Sequence, residues 1–334
     1  MTSTPKKSTI VRSKEQRRTD RLRRTLGILE RAAPRLGAHW AWNLWTVPMR
    51  PSPSAVEKSR AAGIGEVRRI TIELPDWTGS RPTDRNGATK PPQNAEIAVE
   101  LLGPPDGPGV YLLHGWAGWR GQFAPIGRAL AASGYRVILI DAPNHGDSGP
   151  GCLGGRHTLL PDFSLALEAV AREFGPAHAV VGHSLGGGCT ALAVLDGLKA
   201  ERAVFISPAI DPVAYTKILA GMLGFGERIR GRMVEYGRRR TGRRMEEFVI
   251  PPRAAGRTDL PPALVVHDAQ DPIVTVEYGK ALAEAWTGAH FIETSGLGHN
   301  RILRNEAVVM AVVGFIAGAG LPTACTAGSS GAAR

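Results

Sequence analysis

The sequence predicts an α/β fold: a mixed, mostly parallel eight-stranded sheet with helices on both faces and a small helical cap inserted late in the chain. Three observations carry this reading. Short runs rich in β-branched residues recur between residues 65 and 318, nearly all apolar, which is the composition of strands buried on both faces. Windows with apolar residues at helical spacing separate them, so strand and helix alternate as they do around a parallel sheet. A gap of more than fifty residues between Ser207 and Leu264 exceeds what one crossover needs and marks the insertion.

Taken in order, residues 1–20 are polar and basic without an apolar period and are expected to be a disordered tail. Residues 21–64 form an amphipathic helical extension and its linker: Leu22, Leu26, Leu29, Ala33 and Leu36 fall at helical spacing, Pro34 interrupts them, and Trp40, Trp42 and Trp45 follow. The narrow leucine stripe favours packing on the body. The alternative is a Trp-rich, Arg-flanked surface in peripheral contact with an anionic membrane. The main domain, 65–318, opens with the strands 68–74 and 96–102, whose alternating faces suit an antiparallel edge. Further strands are expected at 110–113, 136–140, 179–181, 203–206, 264–266 and 290–293, with helices at 122–132, 162–174, 185–198, 277–286 and 304–317. In the insertion, about 208–260, Ile218, Met222 and Phe225, then Ile229, Met233 and Tyr236, predict two short helices with an apolar underside and arginines outside. An insert at the carboxyl edge of a parallel sheet would cover the ligand crevice. Residues 319–334 are expected to be a flexible tail.

Hydrophobic residues at 43% and charged residues at 21% exclude collagen-like, coiled-coil and wholly disordered chains. The net charge of +11 is concentrated rather than spread. Residues 1–50 hold twelve Lys/Arg against three Asp/Glu, residues 228–244 hold eight Arg against Glu235, and the remainder is net acidic. Neither basic segment carries a helix-turn-helix, zinc-finger or base-stacking pattern, so no nucleic-acid partner is expected. Cys152, Cys189 and Cys325 are too few and too scattered for a disulfide framework or a zinc knuckle, which suits a reducing compartment. No apolar run is long enough to span a membrane and no signal-peptide core follows the basic start, so a cytoplasmic location, at most peripheral to the inner face of a membrane, is expected. No metal cluster, phosphate-binding loop or dinucleotide fingerprint is visible, and neither metal nor cofactor is expected.

The chemistry concentrates at Gly182-His183-Ser184-Leu185-Gly186-Gly187, between an apolar strand and an Ala/Leu-rich helix. This is the G-x-S-x-G nucleophile elbow in the context it requires. Gly182 and Gly186 leave room for the neighbouring strand and helix, and the following helix turns its first amides toward Ser184, where negative charge develops in acyl transfer. The same topology supplies an acid and then a base from later strand ends. His299, in Gly296-Leu297-Gly298-His299-Asn300, stands where a base would lean over the serine. Asp268, Asp271 and Asp211 all lie near strand ends; Asp268 directly follows its strand and suits a turn, so Asp271 is the expected acid. His114, His145 and His183 are read as structural, and Cys189 as core.

These residues resemble the α/β-hydrolase superfamily over about residues 65–318, with the serine esterase, lysophospholipase and proline-iminopeptidase branch nearest. The resemblance implies an α/β-hydrolase fold and an oxyanion hole formed by the amides of Trp116, after His114-Gly115, and of Leu185. It also implies that Asp141 to Ser148 is a structural loop. Ser184, where related enzymes with aspartate cleave carbon–halogen bonds or epoxides, argues against those activities. The function expected is hydrolysis of a carboxylic ester or thioester of a small molecule through an acyl-enzyme, with Ser184, His299 and Asp271 as the triad. The alternative is a catalytically silent receptor or membrane-surface adaptor working through the Trp/Arg-rich N-terminus.

Overall fold

Residues along each central strand alternate between two apolar layers, and this alternation sets the architecture. Val110 and Leu112 join Val137, Leu139 and Val181 on one face, while Tyr111 and Leu113 join Ile138, Ile140 and Val180 on the other. In the computed structural model, which describes residues 14–49, 65–74 and 93–319, β1 (Glu66–Leu74), β2 (Gln93–Leu102), β3 (Gly109–Leu113), β4 (Arg136–Ile140), β5 (Ala177–His183), β6 (Ala200–Ile206), β7 (Ala263–Asp268) and β8 (Ala289–Thr294) form one sheet. Its order is β1-β2-β4-β3-β5-β6-β7-β8. β2 pairs antiparallel with both β1 and β4, and every other pairing is parallel. The eight strands stand where expected, with most ends extended by one to three residues.

Helices cover both faces. On one lie α3 (Ala124–Ala132) and α11 (Glu306–Ile316), burying Ile126, Leu130, Val312 and Phe315; on the other lie α4 (Leu160–Phe174), α5 (Leu185–Leu195) and α9 (Val276–Ala285), burying Phe163, Leu192 and Leu282. Short α10 (Gly298–Arg301) follows β8. The insertion holds α6 (Pro212–Leu223) and α7 (Glu227–Thr241), and a third helix, α8 (Ile250–Ala254), which was not foreseen. Phe225, Ile229 and Met233 are buried as expected, but Ile218 and Met222 are exposed. α6 is apolar nearly all round, so periodicity could not choose its inner face; it turns Thr216 and Ala220 inward, where Thr216 accepts a hydrogen bond from Arg230 at 3.0 Å.

The N-terminal extension packs on this insertion. α1 (Lys14–Ala32) and α2 (Pro34–Thr46) break at Pro34, and Leu26, Ala38, Ala41 and Trp42 form one small core with Phe225, Ile229 and Met233. Glu30 caps the start of α7, its carboxylate accepting from the Arg228 and Ile229 amides at 3.0 Å each. Helix α1 begins at Lys14, where a disordered tail was expected as far as residue 20: residues 14–18 are all good helix formers and continue the helix that starts the extension. The remainder of the tail, the linker at 50–64 and the C-terminal segment from 320 lie outside the described residues. No helix among the described residues is long and apolar enough to cross a membrane.

Candidate active site

Ser184 sits between β5 and α5 with φ 55° and ψ −125°, a backbone conformation that costs an L-residue energy. Its neighbours make that turn possible. A Cβ on Gly186 would collide with the carbonyl oxygens of Leu113 and His114, and one on Gly182 would approach the Gly186 oxygen to 2.5 Å. The Ser184 amide donates to Ile206 at 3.0 Å and its carbonyl accepts from Ala209 at 2.9 Å, so the strained residue is tied to β6.

Of the three candidate acids, the structure brings one to the histidine. His299 Nδ1 lies 2.7 Å from Asp271 Oδ2, and Asp271 Oδ1 accepts from the amides of Ile273 and Val274 at 2.9 and 3.0 Å. Burial pushes this carboxyl upward, but the ring and the two amides outweigh it and hold its pKa at about 2. Asp268 instead clamps the β7 and β8 loops, accepting from Gln270, Thr294 and Leu297 at 2.8–3.0 Å. Asp211 caps α6 through the Ala214 amide at 2.9 Å. His299 is set beside the elbow by His183, whose Nε2 donates to the His299 carbonyl at 2.8 Å, with the rings 4.7 Å apart. Burial lowers the His183 pKa to about 3 and keeps that ring neutral.

Ser184, Trp116 and Leu185 line one cavity of about 320 Å³. Among the described residues, the amides of Trp116 and Leu185 donate no hydrogen bond within the protein. The turn bearing Trp116 is pinned by two neutral histidines. His114 Nδ1 donates to the Gly115 carbonyl at 2.7 Å while its Nε2 accepts from the Ala142 amide at 3.0 Å. His145 Nδ1 donates to Pro143 at 2.8 Å and its Nε2 accepts from Ala117 at 3.1 Å. Burial drives these two rings to pKa values of about 4 and about 3. Among the described residues no cluster of metal-ligating side chains occurs.

The profile of the alpha/beta hydrolase family matches residues 110–312. The chain belongs to that family. Within it, this alpha/beta hydrolase is 34% identical over 115 residues to a pimeloyl-[acyl-carrier protein] methyl ester esterase of Nitrosospira multiformis, covering 33% of this chain and 41% of that protein. A protein of the same name from Xanthomonas campestris pv. campestris is 41% identical over 93 residues, covering 27% and 31%. The hydrolase therefore matches well under half the length of these relatives. Among solved structures, a carboxylesterase from Bacillus subtilis superposes with a TM-score of 0.55 at 19% identity, covering 79% of this chain and 96% of its own. A thermophilic esterase from Thermogutta terrifontis gives 0.52 at 16%, covering 75% and 98%. At such identities the likeness establishes the fold alone.

Three features of this alpha/beta hydrolase's site escaped sequence reasoning. The cavity is walled in part by Trp42, Leu44 and Trp45 of the N-terminal extension. Gly237 on α7 admits the Trp42 ring, since a Cβ there would lie 2.7 Å from it, and Tyr236 meets the same ring edge-on at 5.2 Å. The Tyr215 hydroxyl is buried without a partner among the described residues, and Tyr215 lines the cavity. Finally, buried Arg120 binds Asp141, Asp147 at 2.9 Å and Glu100 at 3.2 Å under the Trp116 turn. Only the Trp spacing gave a signal, and it marked an apolar surface without saying what that surface faced.

Proposed function

We propose that this hydrolase cleaves a carboxylic ester or thioester with an apolar acyl or alcohol part, through an acyl-enzyme on Ser184. The observation that carries the proposal is the Asp271–His299 hydrogen bond at 2.7 Å, on a histidine packed against His183 of the elbow whose strained serine stands at the wall of an apolar cavity. With Nδ1–H donated to Asp271, the free His299 Nε2 takes the serine proton as Oγ attacks the carbonyl carbon. The Trp116 and Leu185 amides, which lack other acceptors among the described residues, receive the oxyanion. The imidazolium then protonates the leaving alcohol or thiol, and water repeats the sequence to release the acid. The pimeloyl-[acyl-carrier protein] methyl ester esterases matched over part of their length act on esters, which supports the reaction class. The cavity's Trp42, Trp45, Leu159, Leu219, Met245 and Phe248 support an apolar substrate.

A fluorophosphonate probe and p-nitrophenyl esters test the reading. Wild-type protein should label and turn over, and Ser184→Ala should lose labelling and about 10³-fold or more of kcat with unchanged circular dichroism. Failure of the wild type to label, or turnover by Ser184→Ala within tenfold of wild type, overturns it.

A further inference from the structure

Helix α2 (Pro34–Thr46) has two apolar faces, and only one of them belongs to a core. Ala38, Ala41 and Trp42, at most 4% exposed, face Phe225, Ile229 and Met233. On the outside, Leu36, Trp40 and Leu44 stand at four-residue spacing, hence in one row, with exposures of 49%, 41% and 41%. Met49 extends the apolar surface beyond the helix with 78% exposure. On α1, exposed Ile28 is flanked at helical spacing by exposed Arg24 and Arg31, and exposed Arg35 stands next to Leu36 in the first turn of α2. Arg240 of α7 lies over the Tyr236 ring at 5.8 Å, and that ring packs against His39 and Trp42 of α2. Exposed arginines thus stand on both helices of the extension and on the neighbouring α7.

The row's position relative to the site is specific. Leu44 belongs both to the row and to the wall of the cavity that contains Ser184, and exposed Ile273 lines the same cavity. The cavity therefore opens beside the row. We propose that the Leu36–Trp40–Leu44 row docks this protein on an anionic lipid bilayer with the cavity mouth at Leu44 turned toward the lipid.

Charge selects the occupant. Residues 1–50 hold twelve Lys/Arg against three Asp/Glu. A second copy of the chain laid on this face would set arginine against arginine, whereas acidic headgroups neutralise them while the row enters the acyl boundary. Tryptophan within such a row suits the interface, with an apolar body and a polar N–H. An apolar ester dissolved in the bilayer would then reach Ser184 without crossing water. That delivery rests on the proposed ester chemistry; the docking does not.

Sedimentation of the full chain with phosphatidylcholine vesicles, with and without phosphatidylglycerol, tests the proposal. Binding is expected to the anionic vesicles at low salt and to fall roughly tenfold or more without phosphatidylglycerol or at high salt. The double variant Leu36→Ser/Trp40→Ser should weaken it by roughly tenfold or more and leave turnover of soluble p-nitrophenyl acetate unchanged, because neither residue lines the cavity. Arg24→Glu/Arg35→Glu should do the same without touching the apolar row. Ser184→Ala should bind as wild type, which separates the docking from the ester reading. Wild-type protein that ignores anionic vesicles, both double variants binding unchanged, or a dimer in light scattering that Leu36→Ser/Trp40→Ser dissolves would each overturn the proposal.

Discussion

Asp271 and Asp268 lie three residues apart on the same loop, and substituting each by asparagine should produce opposite phenotypes. In Asp271→Asn the amide oxygen can keep the bonds to the Ile273 and Val274 amides, which leaves the new NH2 facing His299 Nδ1. Two donors cannot share that position, so the ring must move its proton to Nε2, the atom required to accept the serine proton. Loss of the wrong-tautomer kind costs about 10⁴-fold in kcat where a triad operates. Stability should barely change, since two of the three hydrogen bonds survive. Asp268→Asn reverses the pattern. Its carboxylate accepts from Thr294 and Leu297 through one oxygen and Gln270 through the other. Asparagine offers one oxygen, so at least one part-buried donor is left without its acceptor, at about 1 kcal/mol. For a domain of this size that is roughly 2–4 °C of Tm per kcal/mol. Steady-state kinetics on p-nitrophenyl esters and calorimetry on both variants decide the matter. If Asp268→Asn cripples kcat at unchanged Tm while Asp271→Asn stays within tenfold of wild type, the assignment of the acid is wrong.

Three further outcomes follow from buried groups. Burial holds His114 at about 4 and His145 and His183 at about 3, whereas an unfolded chain titrates near 6.5. Below about pH 6.5 the unfolded state takes up protons that the folded state refuses, so stability is complete above that pH and declines until pH 3–4, by about 2 kcal/mol per ring at pH 5; urea midpoints that stay flat from pH 7 to 5 would contradict this. Trp42→Ala, which empties the contact with Gly237 and Tyr236, should cost about 3–5 kcal/mol, and deletion of residues 1–48 should lower the melting point or cause aggregation; a truncated chain with wild-type Tm would show that the extension contributes nothing to the fold.

The sheet was legible because each strand is a local run whose period and composition are complete within a few residues. The elbow was legible for the same reason: Gly182, Ser184 and Gly186 are constrained by backbone approach, and only certain residues satisfy it at that spacing. Asp271 could be preferred to Asp268 because a residue immediately after a strand is committed to the turn, and the structure does give Asp268 that role. What was not legible depends on long-range packing. Pairing α2 with α7 brings Trp42 to Gly237 across nearly two hundred positions of chain, and no local period encodes it. Ile218 and Met222 were placed inward because α6 offers apolar residues on more than one face, and its neighbours chose another. Arg120 gave no sign of burial from sequence, since its three carboxylate partners lie on two strand ends and a loop.

That arginine explains why the loop from Asp141 to Ser148 matters to a site it does not line. Catalytic amides stabilise an oxyanion only if they are already in place when charge develops, and Trp116 sits on a turn that includes a left-handed residue, Ala117, at φ 55°. Left alone, such a turn would relax. Here the Ala117 amide is held by His145, the Ala142 amide by His114, and the Arg120 amide by Asp141 at 2.7 Å, so the β3 and β4 loops fix each other. Both histidines must remain neutral for this, because a protonated Nε2 would present a donor to an amide donor. Burial supplies that condition by lowering their pKa values. The charged groups are confined one layer below, where Arg120 pairs with Asp141, Asp147 and Glu100, and removal of the guanidinium would strip the buried Asp141 carboxylate of its charged partner. The loop therefore acts on the proposed reaction through rigidity: through the neutral His145 ring it holds the turn that carries the Trp116 amide against relaxation.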